Sequence, residues 1–394
     1  MKKLLPLLIL SALTMQACAS DSGIEDEDPL VGDTFYFPMP DETPDVVESR
    51  DQRFHVQTVA EGFSVPWAMA FLPDGEVLVT ERSGEIYVIE NGERRSEPIE
   101  GTPEVYASGQ GGMLDILLHP DYDENGWIYV TYSRTLPQGG ANTALARFRL
   151  EDNRAIDFQE LFTGTPGYHT GQHFGSRIAF DDDGYVYFSI GDRGVMESSQ
   201  ELDSHTAVVI RLHDDGSVPS DNPFVDEPGA LPEIYAYGLR NIQGMAIHPE
   251  TREIWSHKHG PRGGDEINII GAGLNYGWPE ITHGTNYDGS IITPDTARDG
   301  MEQPLLHWTP SIAPSGMAFV TGNRYPGWQG DIMVGTLAPR YLHRVVLDGE
   351  EVIEQEELLD GIGRVRDVRL APDGYLYIAV EHPGVIHRLL PANN

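Results

Sequence analysis

Six segments of the chain repeat one pattern of hydrophobic and polar positions. Each begins with a short apolar run, passes through a turn that is Pro-Asp-Gly or a variant of it, and continues as a strand of alternating apolar and polar residues. The copies span residues 68–90, 115–133, 177–192, 244–257, 316–337 and 367–380. Because turn residues and period-two alternation mark β-hairpins, each copy predicts one hairpin.

The spacing of these hairpins predicts the architecture. Successive copies start about 47 to 72 residues apart, which leaves room for one four-stranded sheet and its loops. The chain has 43 glycines, and no segment shows a convincing amphipathic helical pattern. We therefore predict an all-β fold, a six-bladed β-propeller over residues 54–394. A pair of β-sandwiches is the alternative, but that fold does not predict the same hairpin six times.

The N-terminus predicts export. Residues 1–17 have the form of a signal peptide, with two lysines followed by the apolar run 4–13, which is too short to span a bilayer. The sequence Met-Gln-Ala before Cys18 resembles the lipobox of bacterial lipoproteins, in which the cysteine carries a lipid anchor; an ordinary cleaved signal is the alternative. Ala19 lacks the Asp associated with inner-membrane retention, so we expect a periplasmic protein anchored in the outer membrane. Cys18 is the only cysteine, which excludes an intrachain disulfide.

Charge changes the picture in two ways. Residues 21–52 hold eleven acidic residues, four prolines and one basic residue, Arg50, so residues 18–53 are predicted to form a disordered tether. The whole chain has 26 basic and 62 acidic residues, a net charge of −36. This balance argues against nucleic acid as a partner and against adhesion to anionic lipid headgroups, so membrane contact is expected only through the lipid anchor. The sequence is compatible with both a monomer and a dimer.

Four polar clusters precede hairpins at equivalent positions, in residues 108–115, 171–177, 237–241 and 361–367. In a propeller such positions converge on one rim, so a His, a Gln, an Asn and three arginines are expected around one cavity. Several arginines suit a polyanionic ligand, and His173 is the member of the set that takes and returns a proton near neutral pH. The alternatives are structural roles, with Arg177 bracing a loop and His173 fixed in a glycine-rich turn.

The segment 258–279, KHGPRGGDEINIIGAGLNYGWP, predicts a hard-cation site. Ca²⁺ takes carboxylate and carbonyl oxygens, and glycines let carbonyls turn inward. The alternative is a loop made of turns, with Asp265 and Glu266 solvated on the surface.

Taken in order, GQGGMLDILLHP, GQHFGSRIAF with IGDRG, YGLRNIQGMA, HGPRGGDEINII with LNYGWP, SIAPSGMAF and GRVRDVRLAPDGYLY resemble the soluble glucose/sorbosone dehydrogenase family. They are most similar to its aldose sugar dehydrogenase branch, quinoproteins that use pyrroloquinoline quinone (PQQ) and calcium on a six-bladed propeller. The resemblance implies oxidation of an aldose at its anomeric carbon to the lactone, with electrons passed to an external acceptor.

The resemblance also implies residue roles. His173 resembles the general base that removes the proton of the anomeric hydroxyl, and Arg240 resembles the arginine that holds the quinone oxygen. The matching cofactor contacts are Gln110, Asn241, Tyr287, Arg364 and Arg366. Gly260 and Pro261 match carbonyl ligands of the calcium beside the quinone, and Glu266 with Tyr276 match another calcium position of the family.

Two positions depart from the glucose-oxidising branch. Ala338-Pro339-Arg340 stands where that branch has a cofactor-binding lysine, and Trp308 is one residue out of step with an aromatic that walls the sugar. Both departures put selectivity for glucose in doubt. Two other functions stay open at this point: a calcium-dependent lactonase, and a non-catalytic propeller that binds a protein or glycan and is stabilised by calcium.

Overall fold

The computed structural model describes residues 36–392, which form six antiparallel sheets arranged as a β-propeller. The prediction of an all-β, six-bladed propeller is confirmed. Each predicted hairpin coincides with two adjacent strands of one sheet, and the copy at 68–90 also includes the third strand of its sheet. The local turn and alternation signals therefore located the start of every blade, because a tight antiparallel hairpin depends only on residues close in sequence.

The first three blades contain β3 Pro66–Phe71, β4 Val77–Glu81, β5 Ile86–Glu90 and β6 Glu93–Arg94; β7 Met113–Leu118, β8 Ile128–Thr135, β9 Ala141–Glu151 and β10 Arg154–Thr163; and β11 Ile178–Phe180, β12 Val186–Ile190, β13 Val208–Leu212 and β14 Ile234–Tyr237. The next two contain β15 Ile242–Ile247, β16 Ile254–Lys258, β17 Asp265–Ile270 and β18 Leu306–Trp308; and β19 Pro314–Phe319, β20 Ile332–Thr336, β21 Leu342–Asp348 and β22 Glu351–Leu358. The sixth is built from β23 Arg364–Leu370, β24 Leu376–Glu381 and β25 Val385–Pro391 with β1 Val46–Glu48 and β2 Arg53–Glu61. One helical turn, α1 Tyr122–Asn125, and a 3₁₀ turn, Met196–Gln200, interrupt the strands. Within residues 36–392 no helix has the length and apolar character needed to cross a membrane.

The N-terminal strands close the ring. Strand β2 pairs antiparallel with β25 from the C-terminal end, and β1 adds a fifth strand outside β2. The sixth blade is thus assembled from both ends of the chain. This pairing ties the first blade to the last, and no local sequence signal announces it.

The tether prediction needs correction for residues 36–53. Tyr36 and Phe37 are buried at 3% and 2% exposure, and the Phe37 carbonyl accepts a hydrogen bond of 3.0 Å from Arg388. Asp51 pairs with Arg344 at 2.8 Å. The two aromatic side chains pack into an apolar core and the Asp51 carboxylate pairs with an arginine, so this part of the acidic segment packs on the propeller. The predicted signal peptide, Cys18 and the rest of the tether lie outside the described residues.

A buried ion cluster joins the blades at the central channel. The Nη1 group of Arg177 donates to Asp115 on β7 at 3.1 Å and to Asp367 on β23 at 2.8 Å, and its Nε donates to the Gln243 carbonyl on β15 at 2.7 Å. Arg369 pairs with both aspartates. Arg177 therefore links four blades, and of the two roles weighed for it the structural one is confirmed. Because Asp115 and Asp367 are both paired with arginines, ion pairs hold this part of the channel together, and neither carboxylate is free to bind a metal.

Candidate active site

Loops from several blades enclose a cavity of about 240 Å³ at one end of the channel. Five residues predicted to bind a cofactor line it together: Gln110, Asn241, Tyr287, Arg364 and Arg366. Four of them come from three of the polar clusters that precede the blades, and Tyr287 comes from the long excursion between β17 and β18. The clusters thus converge on one site, as the repeat positions predicted. Tyr287 is 72% exposed, so its ring lies at the mouth of this cavity.

His173 and Asp192 form a buried pair near this cavity. The His173 backbone N–H donates to the lining residue Gln110 at 2.8 Å. The next two residues, Phe174 and Gly175, line the cavity. The Nδ1 atom of His173 lies 2.6 Å from Asp192 Oδ1, and the other oxygen of Asp192 accepts a 2.9 Å bond from the Trp278 indole. A carboxylate accepts only, so Nδ1 carries the proton and Nε2 presents the basic lone pair. The pair has the geometry of an oriented general base.

The pKa shifts agree with this arrangement. Burial lowers the pKa of His173 below 6.5, the Asp192 hydrogen bond and charge act in the opposite direction, and the Arg240 charge lowers it further. Burial alone would raise the pKa of Asp192, but the bond to His173 and the Arg240 charge bring it below 3.8 overall. Because both pKa values are lowered, at neutral pH the pair is a neutral imidazole hydrogen-bonded to a carboxylate, and a neutral imidazole can accept a proton.

Arg240 is buried at 4% exposure and reaches across to the predicted calcium loop. Its Nη1 donates to the Gly260 carbonyl at 3.0 Å and to the His259 carbonyl at 3.3 Å, and its guanidinium lies 5.3 Å from the Trp278 ring centroid. The neighbouring Asn241 accepts a 3.1 Å bond from the Gly175 N–H. The indole of Trp278 therefore connects the arginine to the His173–Asp192 pair.

Arg364 and Arg366 share one carboxylate. Their Nε groups donate to the two oxygens of Glu381, at 2.7 Å and 2.6 Å respectively. Burial would raise the pKa of Glu381, but the two arginines lower it to about 2. Arg82 also lines the cavity, and the described residues give its side chain no carboxylate partner. Three arginines against one glutamate leave this lining positively charged.

The structure shows where the residues that depart from the glucose-oxidising branch lie. Ala338 lines the cavity, whereas Arg340 is exposed and does not line it. Trp308 packs in a blade core at 7% exposure and donates its indole N–H to Gln355 at 2.7 Å. Neither Arg340 nor Trp308 replaces the side chain expected at its position in the glucose-oxidising branch.

The carboxylates of the glycine-rich loop are not solvated. Asp265 is fully buried and accepts from the backbone of Gly260, Ile312 and Ala313 and from the Ser311 hydroxyl, at 2.7 to 2.9 Å. Burial raises its pKa to about 6 even though these bonds act to lower it. Asp265 thus fixes the turn that carries Gly260, and the alternative of surface carboxylates is wrong.

The predicted cation ligands Glu266 and Tyr276 contact different partners. Glu266 pairs with the Lys258 ammonium at 3.1 Å, while the Tyr276 hydroxyl donates to the Ile269 carbonyl at 2.5 Å and accepts from the Gly271 N–H at 2.9 Å. In residues 36–392 no three His, Cys, Asp or Glu side chains are grouped to hold a metal. Both side-chain groups have partners within the protein, and their assignment as calcium ligands stays a prediction. For Gly260 and Pro261 the calcium assignment stays a prediction.

The glucose/sorbosone dehydrogenase family model matches residues 63–388, nearly the whole propeller. The chain belongs to this family.

The chain is 41% identical over 347 residues to the aldose sugar dehydrogenase YliI of Escherichia coli, covering 86% of this chain and 93% of that protein. The crystal structure of the soluble aldose sugar dehydrogenase from E. coli in the apo form superimposes with a TM-score of 0.84 at 40% identity, over 86% of this chain and 100% of the other. The PQQ-bound aldose sugar dehydrogenase of Streptomyces coelicolor gives 0.71 at 28% identity, over 86% and 98% of the two chains.

In this glucose/sorbosone dehydrogenase, sequence reasoning missed Asp192, Trp278, Glu381 and Arg82 as parts of the site. Asp192 and Trp278 stand inside conspicuous motifs, IGDRG and LNYGWP, so a signal was present without an assignable partner. Glu381 is the last residue of β24, and Arg82 directly follows β4. Nothing in the local sequence marks either residue.

Proposed function

We propose that the protein oxidises the anomeric carbon of aldose sugars to the lactone, with PQQ as cofactor and His173 as general base. The observation that carries this proposal is the buried His173–Asp192 pair beside an arginine-lined cavity. The similarity to aldose sugar dehydrogenases, one of them PQQ-bound, supports the substrate class and the cofactor.

The residues present fit PQQ, a planar quinone with several carboxylates. Arg364 and Arg366 would pair with its carboxylates through the N–H groups that remain after their bonds within the protein, since a guanidinium has five donors. Gln110 and Asn241 add amide groups in the same lining, and Tyr287 would cover the mouth. When bound, PQQ supplies the two-electron acceptor that the side chains lack.

The division of work among the residues follows from their geometry. His173 Nε2 would take the proton of the anomeric hydroxyl, while Asp192 holds the ring and stabilises the imidazolium that forms. Arg240, buried beside Trp278, would place a positive charge where negative charge develops. Gly260 and Pro261 are the carbonyls proposed to hold Ca²⁺, although that of Gly260 already accepts from Arg240.

The two other functions find less support. A lactonase would need side-chain oxygens free to hold a metal in the channel, whereas Asp115 and Asp367 are paired with Arg177. A purely structural or binding propeller gives no reason for a buried imidazole held by a carboxylate next to the cavity.

Reconstitution tests the proposal. Purified apoprotein is mixed with PQQ and Ca²⁺, and reduction of an electron-acceptor dye is followed with a panel of aldoses. We expect dye reduction that requires PQQ, together with a change in the PQQ absorption spectrum on binding. A folded protein that leaves the PQQ spectrum unchanged would contradict the proposal, and lactone hydrolysis by a quinone-free sample with Ca²⁺ would favour the hydrolase.

The pH dependence should show the His173–Asp192 coupling. Because burial holds the pKa of His173 below 6.5, kcat/KM should be level above that pH and fall only as the pH drops through the lowered pKa. Asp192→Asn removes a charge that raises this pKa, so the acid limb should move to lower pH while the level activity falls by up to about 10⁴-fold. Full pH profiles of both proteins measure the shift.

A purely structural role for Asp192 would lower activity without moving the acid limb. Exposed Asp183, in the turn between β11 and β12, provides the matched control, because Asp183→Asn makes the same chemical change away from His173. Its profile should overlay that of the unmodified protein.

We also propose the setting in which this reaction occurs. The predicted signal peptide and Cys18 lipid anchor would place the enzyme on the periplasmic side, at the outer membrane, where reduced cofactor would pass electrons to an external acceptor. Metabolic labelling with a palmitate analogue, lost in Cys18→Ser, tests the anchor.

A further inference from the structure

Lys258 and Glu266 form a buried ion pair at the base of the glycine-rich loop. They are directly opposite each other on β16 and β17, with Nζ 3.1 Å from Oε2 and side-chain exposures of 1% and 6%. The loop that connects these strands, residues 259–264, carries Gly260. The pair therefore closes the hairpin at the point where its loop enters the site.

The Lys258 ammonium gives the buried Glu266 carboxylate a partner of opposite charge. A carboxylate removed from water is costly unless it is paired and hydrogen-bonded. Glu266 Oε2 has Lys258 at 3.1 Å and also accepts from the Asn268 amide at 3.3 Å. The charge of Glu266 is thus balanced by a side chain of the protein itself.

The same contacts disfavour a divalent cation at this position. An ion bound by Glu266 would lie within a few ångströms of the Lys258 charge, and like charges repel strongly where water is excluded. The side chain of the second expected ligand is also engaged, because the Tyr276 hydroxyl donates to the Ile269 carbonyl and accepts from the Gly271 N–H. One buried oxygen at this place, Asn268 Oδ1, has no hydrogen-bond partner, and it alone does not make a cation site.

We propose that Lys258 is the resident cation of this position. The fixed ammonium takes the place that the family resemblance gives to Ca²⁺, so the β16–β17 hairpin holds its shape without a metal at Glu266. The proposal concerns the scaffold, and its outcome is independent of whether the chain oxidises sugars.

Calcium binding to the full apoprotein tests this directly. Isothermal titration and thermal unfolding in EDTA and in millimolar CaCl₂ are compared for the unmodified protein and for Glu266→Gln. We expect the same number of bound ions and the same calcium-induced shift in Tm for both. One fewer ion, or a smaller shift, in Glu266→Gln would overturn the proposal.

Two substitutions of Lys258 sharpen the test. Lys258→Glu sets two carboxylates opposite each other, the type of ligand that Ca²⁺ prefers, so its Tm should fall in EDTA and recover in CaCl₂. The double variant Lys258→Met with Glu266→Gln removes both charges, and its response to calcium should match that of the unmodified protein. If Lys258→Glu gains no response to calcium beyond that of the double variant, the ammonium does not control the site and the proposal is wrong. If Lys258→Glu does not fold, the comparison with Glu266→Gln decides alone.

Discussion

His173→Ala should lower kcat for aldose oxidation by about 10²- to 10⁴-fold, the range that a positioned general base contributes. The imidazole is the buried group whose free Nε2 is basic at neutral pH, because Nδ1 is held by Asp192 at 2.6 Å. Water entering the space left by the ring would be a far weaker base. Steady-state kinetics of the PQQ-loaded protein measure the loss.

Exposed His169, four residues earlier in the same loop, is the matched control, because its imidazole is in solvent rather than buried against a carboxylate. His169→Ala should retain full activity, and both variants should bind PQQ with unchanged affinity. An activity loss in His173→Ala that is explained by weaker PQQ binding or a lower Tm would contradict the assignment of the base.

Asp367→Ala should lower the free energy of unfolding by about 3–5 kcal/mol, the usual cost of removing one partner from a buried ion pair. Asp367 is fully buried and accepts from Arg177 at 2.8 Å, from Arg369 at 2.8 Å and from the Met69 N–H at 3.0 Å. Its removal leaves the buried Arg177 and the half-buried Arg369 with Asp115 as their shared carboxylate. Urea denaturation followed by fluorescence measures the change.

Asp182→Ala is the control, because it breaks the exposed ion pair with Arg252 and exposed pairs contribute little. Its denaturation midpoint should be indistinguishable from that of the unmodified protein. Equal small effects for Asp182→Ala and Asp367→Ala would show that the channel cluster does not stabilise the ring.

Much of the fold could be read from the sequence because its signals are local. Each hairpin depends on turn residues and alternation within about twenty positions, and six copies predicted the number of blades. The closure of the ring by β2 and β25 could not be read in this way. Its partners, such as Phe54 and Pro391, are brought together only when the whole ring forms.

The acidic segment, residues 18–53, shows the same limit of prediction from local sequence. Composition favoured disorder through residue 53, yet Tyr36 and Phe37 are buried against the folded propeller. Two aromatic residues are too few to indicate order by themselves. They become ordered because the closed sheet offers an apolar surface and Arg388 for the Phe37 carbonyl.

For the site, sequence identified which residue types face the cavity, and tertiary structure assigned their partners. Gln110, Asn241, Arg364 and Arg366 were found from equivalent positions in repeated blades, since symmetry brings those positions to one rim. The charge balance and the orientation of these side chains depend on contacts between blades or between strands, and no single motif encodes such contacts. The structure alone therefore paired His173 with Asp192, both arginines with Glu381, and Glu266 with Lys258.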